Sequence, residues 1–201
     1  MSNTLDFQVS GAFQSKVGGT GTGVKYFPRP LGPSIGVAPA TPSATSAAGA
    51  LFLPAQNVYN GQQFDVLVSG TFGNDSGDPS GVVTINLYAV TGTFANPTYT
   101  NIATTGNMVP FYQIQPWGIS ANLVGASVNG ANGLLIGAYQ SYQRGAVTAP
   151  TTVTSIITGL DFNAGNPALQ QGAVLGFVVG VLFGTSDATN AAGLTEFTIE
   201  S

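Results

Sequence analysis

The chain has 201 residues, among them 28 Gly and 12 Pro, and it contains neither cysteine nor histidine. Charged residues make up 6%, four Lys/Arg against eight Asp/Glu, where an ordinary soluble domain carries about 25%. Disulfides, thiolate nucleophiles, Cys/His zinc sites, Ser–His–Asp or Cys–His machinery and a histidine base are all excluded.

The 43% of hydrophobic residues is too high for a disordered chain. Solubility rests instead on Ser, Thr, Asn and Gln. So little charge leaves weak electrostatic protection against association, which suits a protein held in a fixed assembly. The N-terminus, "MSNTLDFQVS", lacks the basic start and apolar centre of a signal peptide, so export by the ordinary secretory route is not expected.

Residues 1–57 read as an extended Pro/Gly-rich N-terminal arm, with Pro28, Pro30, Pro33, Pro39, Pro42 and Pro54 blocking helices. Within it, Leu5, Phe7 and Val9 alternate and predict a short strand. The arm holds Lys16, Lys25 and Arg29 against the single acid Asp6, a net charge of +2. The remainder sets Arg144 against Asp65, Asp75, Asp78, Asp161, Asp187, Glu196 and Glu200, a net charge of −6. A basic arm on an acidic body suggests docking on an acidic surface, a partner's or a neighbouring copy's. Three cations that merely keep a polar tail in solution are the plainer explanation. Without a dense basic patch, nucleic acid is not an expected partner.

From residue 58 the pattern is one of short strands. Phe64, Val66 and Val68 alternate in "QFDVLVSGTF", and Val83, Ile85, Leu87 and Ala89 alternate in "VVTINLYAV". "TYTNIAT", "MVPFYQI", "GLLIGAYQSY", "TTVTSIITGLDF" and the closing "LTEFTIES" are further strand candidates, separated by Gly, Pro, Asn and Asp. The run "GAVLGFVVGVLFG" (172–184) puts a glycine at every fourth position, the spacing of closely packed membrane helices. It falls short of the roughly 20 apolar residues a spanning helix needs, and polar flanks prevent its extension. With period two, Leu175, Phe177, Val179, Val181 and Phe183 form one apolar face. Its opposite face alternates glycine with Val174, Val178 and Leu182, which predicts a strand buried on both sides. No membrane association is expected. About eight strands in residues 58–201 predict an all-β domain, a jelly-roll or immunoglobulin-like β-sandwich.

Three constellations bear on chemistry. Asp75 and Asp78 in "GNDSGDPSG" offer oxygen ligands to calcium, but the spacing departs from the twelve-residue calcium loop and equally suits a hairpin turn. Asp65 and Glu196 fall on predicted strands opposite in alternation to apolar neighbours, so both face solvent and no carboxylate pair for glycoside hydrolysis is evident. Phe111, Tyr112 and Trp117, followed by Tyr139 and Tyr142, form either core and subunit contacts or a glycan-stacking platform. Neither catalytic residues nor a cofactor or metal are expected.

The C-terminal stretch "TGLDFNAGNPALQQGAVLGFVVGVLFGTSDATNAAGLTEFTIES" resembles the ending of capsid decoration (cement) proteins of tailed bacteriophages. The likeness spans roughly residues 58–201 and lies in the style of the strands rather than in any short motif. It implies a β-sandwich seated on the outer surface of a virion capsid, with the major capsid protein and the chain itself, as a homotrimer or dimer, for partners. The resemblance brings no catalytic or ligand residues with it. In that setting Lys16, Lys25, Phe27 and Arg29 are the expected capsid-contact residues of the arm, made in the host cytoplasm with the rest of the particle. A host-recognition or carbohydrate-binding module and a tail or baseplate component are the alternatives.

Overall fold

In the computed structural model the described residues are 15–18, 24–26, 51–54, 61–74, 83–92, 97–108, 115–127, 134–143, 146–147, 151–158, 174–184 and 190–200. Among them every regular element is a strand and no helix occurs. Three short strands come first: β1 (Ser15–Gly18), β2 (Val24–Tyr26) and β3 (Leu51–Pro54). The longer strands are β4 (Gln63–Asn74), β5 (Val83–Gly92), β6 (Pro97–Thr104), β7 (Gln115–Ser127) and β8 (Leu134–Gln143). After the two-residue β9 (Ala146–Val147) come β10 (Thr151–Thr158), β11 (Val174–Phe183) and β12 (Asn190–Glu200).

They form two antiparallel sheets packed face to face, so the all-β sandwich expected from the alternation is the fold. Sheet A has seven strands in the order β1-β12-β4-β7-β8-β10, with β9 also on β8. Sheet B has five, in the order β2-β11-β5-β6, with β3 also on β11. Two pairings are nested, β4 with β12 and β5 with β11, while β5–β6 and β7–β8 pair as sequence neighbours. The nested pairs tie the two ends of residues 63–200 together in both sheets.

Alternation decides which side chains meet. Phe64, Val66, Val68 and Phe72 of β4, Trp117, Ile119, Ala121 and Leu123 of β7, and Phe197 and Ile199 of β12 point inward from sheet A. Val83, Ile85, Leu87 and Ala89 of β5 and Phe177, Val179, Val181 and Phe183 of β11 answer from sheet B. Phe64 and Phe177 join the sheets directly, with ring centroids 6.1 Å apart and planes at 56°, a tilted packing favoured by ring quadrupoles. Burying an aliphatic or aromatic side chain of this kind stabilises by about 1.5–3 kcal/mol.

Of the strand expected over "MVPFYQI", Met108 is described, an isolated bridge hydrogen-bonded both ways to Val83 at 2.8 Å, and residues 109–114 lie outside the described residues. A strand not singled out in the sequence follows it: β7, where Trp117, Ile119, Ala121 and Leu123 alternate with Gly118, Ser120 and Asn122. In the closing strand the alternation breaks. Leu194 and Phe197 both point inward, which the shift in pairing with β4 between Leu194 and Glu196 allows. An extra residue there, Thr195, makes a β-bulge.

The run at 174–183 is a strand, as its period predicts. From Gly176 to Val181 every residue is buried, on both faces, and only Leu182 reaches solvent among those that follow within β11. β5 pairs along one edge of it, and β3 and then β2 pair along the other. The described parts of residues 1–57 are thus paired with the body's sheets. Strand pairing uses backbone groups alone, so these segments need no apolar alternation to join.

Gly70 marks the closest approach inside the sandwich. A Cβ there would collide with the Gly193 carbonyl oxygen and lie 2.7 Å from Trp117 Cζ2. Gly70→Ala is expected to lower the unfolding free energy by about 2–3 kcal/mol in urea titrations. Leu67→Ala, at an exposed position three residues earlier on the same strand, is expected to change it by under about 1 kcal/mol.

Candidate interaction surface

Alternation turns a second set of residues outward from sheet A, and the strand registers arrange them in rows across β12, β4, β7 and β8. One row is Glu200, Asp65, Asn122 and Ala138, the next Thr198, Leu67, Ser120 and Gln140, and the third Glu196, Ser69, Gly118 and Tyr142. Polar and acidic side chains predominate, consistent with a face that meets water. Asn122 Nδ2 donates to Asp65 Oδ1, and Ser69 Oγ donates to Glu196 Oε2 at 3.1 Å. Leu67 and Tyr142 are each 38% exposed on this face.

Tyr142 lies flat on the sheet. A Cβ built at Gly118 would overlap its Cε1, Cζ and hydroxyl, so the ring rests on the bare backbone of the facing glycine. Ring over glycine across a strand pair compensates for the glycine's missing side chain. The register also does what spacing along the chain does not reveal, and places the acids Asp65 and Glu200 directly opposite one another. Directly opposed positions in an antiparallel pair have Cα atoms about 4.5–5.5 Å apart, and like charges there repel. Both residues are exposed. Among the described residues no group of three or more His, Cys, Asp or Glu is placed to hold a metal ion.

The outer face of sheet B differs. Val90 and Val178 are fully buried there, away from the inter-sheet core. Beside them Asn101 Nδ2 donates to Asn86 Oδ1 at 3.3 Å, and Asn86 Nδ2 donates to the Tyr88 hydroxyl at 3.2 Å. Burial holds the Tyr88 phenol above its ordinary value of 10.0, opposed by the Asn86 hydrogen bond.

The sequence-derived site residues separate. Trp117 is 0% exposed and packs in the core, so of its two readings it takes the core one and cannot stack on a glycan. Lys16 pairs with Gly193 at the margin of sheet A, and Lys25 pairs with Val181 at the margin of sheet B. The two cations therefore sit on the same flank of the sandwich but in different sheets. Phe27, Arg29, Asp75, Asp78, Phe111 and Tyr112 lie outside the described residues. Tyr142 is the aromatic ring on the open face, and its signal was indirect: a tyrosine in a polar alternating strand whose facing partner is glycine.

Comparison with known proteins adds no relative: no family model, no curated protein and no solved structure matches the chain.

Two outcomes check this placement. Trp117→Ala is expected to remove about 3–5 kcal/mol of stability by denaturant unfolding, and a fall of less than about 1 kcal/mol would contradict its burial. The raised phenol keeps its proton on folding while the unfolded chain releases it. The stability from Tyr88 is therefore whole below pH 10 and declines as pH rises above that value. Tyr88→Phe is expected to flatten the alkaline fall in melting temperature, measured from pH 9 to 11.5.

Proposed function

We propose that the chain is a non-enzymatic structural subunit of a virion: a decoration (cement) protein on the outer surface of a phage capsid, binding neighbouring major capsid protein subunits together. The observation that carries this reading is the open outer face of sheet A. It is four strands wide, and Leu67 and Tyr142 stand exposed on it among Ser, Thr, Asn and Gln and the acids Asp65, Glu196 and Glu200. A broad, partly apolar sheet face favours being covered by another protein. The composition supports the same reading. With 6% charged residues and neither histidine nor cysteine, the chain is better equipped to adhere than to catalyse. The basic segment Lys16–Arg29 adds a charged contact for an acidic neighbour.

A carbohydrate-binding role is the second reading, and the Tyr142 ring lying over Gly118 with Ser120 and Gln140 in the next row favours it. A glycan array separates the two. Binding that disappears in Tyr142→Ala would support sugar recognition, and an empty array leaves adhesion to protein as the function.

Antibody-gold labelling of purified particles in the electron microscope tests the first reading. Label is expected on the head shell, and particles lacking the protein are expected to release their contents at a lower temperature. Label on the tail would make it a tail or baseplate component, and particles without label would remove it from the virion.

A further inference from the structure

β1 and β2, together the strap, lie at one flank of the sandwich, one in each sheet. Ser15–Gly18 pairs with Ala191–Leu194 of β12 in sheet A, and Val24–Tyr26 pairs with Gly180–Leu182 of β11 in sheet B. These pairings cover backbone edges of two consecutive strands that would otherwise be open, and open edges are templates for pairing with another chain.

How the strap is tied to its own body is unusual. Tyr26 stands opposite Gly180, and Leu51, the first residue of β3, stands opposite Phe177. β2 and β3 are both antiparallel to β11 along the same edge, so they lie in one line. Their facing ends are three β11 residues apart, about 10 Å at about 3.4 Å per residue. Two residues would join them as one continuous strand. The chain uses residues 27–50 instead, 24 in all. That length has a maximum reach of about 80 Å at about 3.3 Å per residue. A compact body of about 145 residues has a radius of gyration of only about 15 Å. The connection is far longer than a strap on its own body requires, and long enough to deliver the strap to an adjacent one.

We propose that the strap is exchanged between copies: Ser15–Tyr26 of one chain pairs with β12 and β11 of a second copy, in the same register as on its own body. The exchange breaks no contact that it does not remake, which makes swapping of an identical element inexpensive. Which body receives the strap depends on concentration. A connection of this length sets an effective concentration on the order of millimolar. Exchange is therefore favoured where copies are crowded side by side, as in any ordered assembly. The inference goes beyond the role proposed above and stands whether or not that assembly is a virion.

The absence of cysteine makes a clean test possible. Val17 and Ala192 are register partners, and antiparallel partners have Cα separations of about 4.5–5.5 Å, within disulfide range. A tagged Val17→Cys chain and an untagged Ala192→Cys chain are refolded together at about 1 mM protein, in the range where exchange competes with the tether, and then oxidised. The expected product is a covalent hybrid dimer with the disulfide joining positions 17 and 192, identified by peptide mass spectrometry. The Val17→Cys/Ala192→Cys double variant should give covalent dimers and larger species on a non-reducing gel. A double variant that closes wholly within single chains, with no hybrid from the mixed single variants, would overturn the proposal. Gly18→Cys with Ala191→Cys, also register partners and with Ala191 exposed, repeats the test if the first pair does not fold.

Discussion

Everything in this fold depends on β11 being enclosed. A strand whose residues from Gly176 to Val181 are all buried has no face to give to water, so each face and each edge must be covered by other parts of the chain. β5 takes one edge and β2 with β3 take the other. Sheet A covers the face bearing Phe177, Val179, Val181 and Phe183. Enclosing one apolar strand therefore fixes the order of sheet B, calls for a second sheet, and draws N-terminal segments back across the chain. The contact of Phe64 with Phe177 is where that enclosure is most direct.

Low charge and long-range pairing fit together in this molecule. The outward rows of sheet A combine Ser, Thr, Asn and Gln with three acids, of which Glu196 and Asp65 accept hydrogen bonds from Ser69 and Asn122. The margins of the sheets matter as well, because backbone edges pair without regard to side chains. On the flank beside β11 and β12 those margins carry the strap, and the registers there bring Lys16 and Lys25 to the same side of the body.

Much of the body was legible because alternation and burial coincide. Val83, Ile85, Leu87 and Ala89 face the core as their spacing required, and the period of two in residues 174–183 distinguished a strand from a membrane helix. β7 was obscured because attention falls on Pro116, Trp117 and the aromatics before them, although the residues from Trp117 to Leu123 alternate cleanly. The inward positions of β12 were hidden by the extra residue at Thr195, which no periodicity reports. Pairing was the least legible level. The opposition of Asp65 to Glu200 and the placement of Tyr142 over Gly118 arise from register between strands distant in sequence. β1 and β2 carry no apolar run, since backbone groups suffice for their attachment, and the apolar run of β3 is only three residues long.

Native-state hydrogen exchange along β11, read residue by residue, tests the enclosure most directly. In an antiparallel strand alternate amides point to opposite neighbours. Strong protection is expected in both sets, the set facing β5 and the set facing β2 and β3 at Gly180–Leu182 and Val174–Phe177. Protection on the β5 side with exchange at unfolded-chain rates on the other would mean that this edge of β11 is open and the strand is not enclosed.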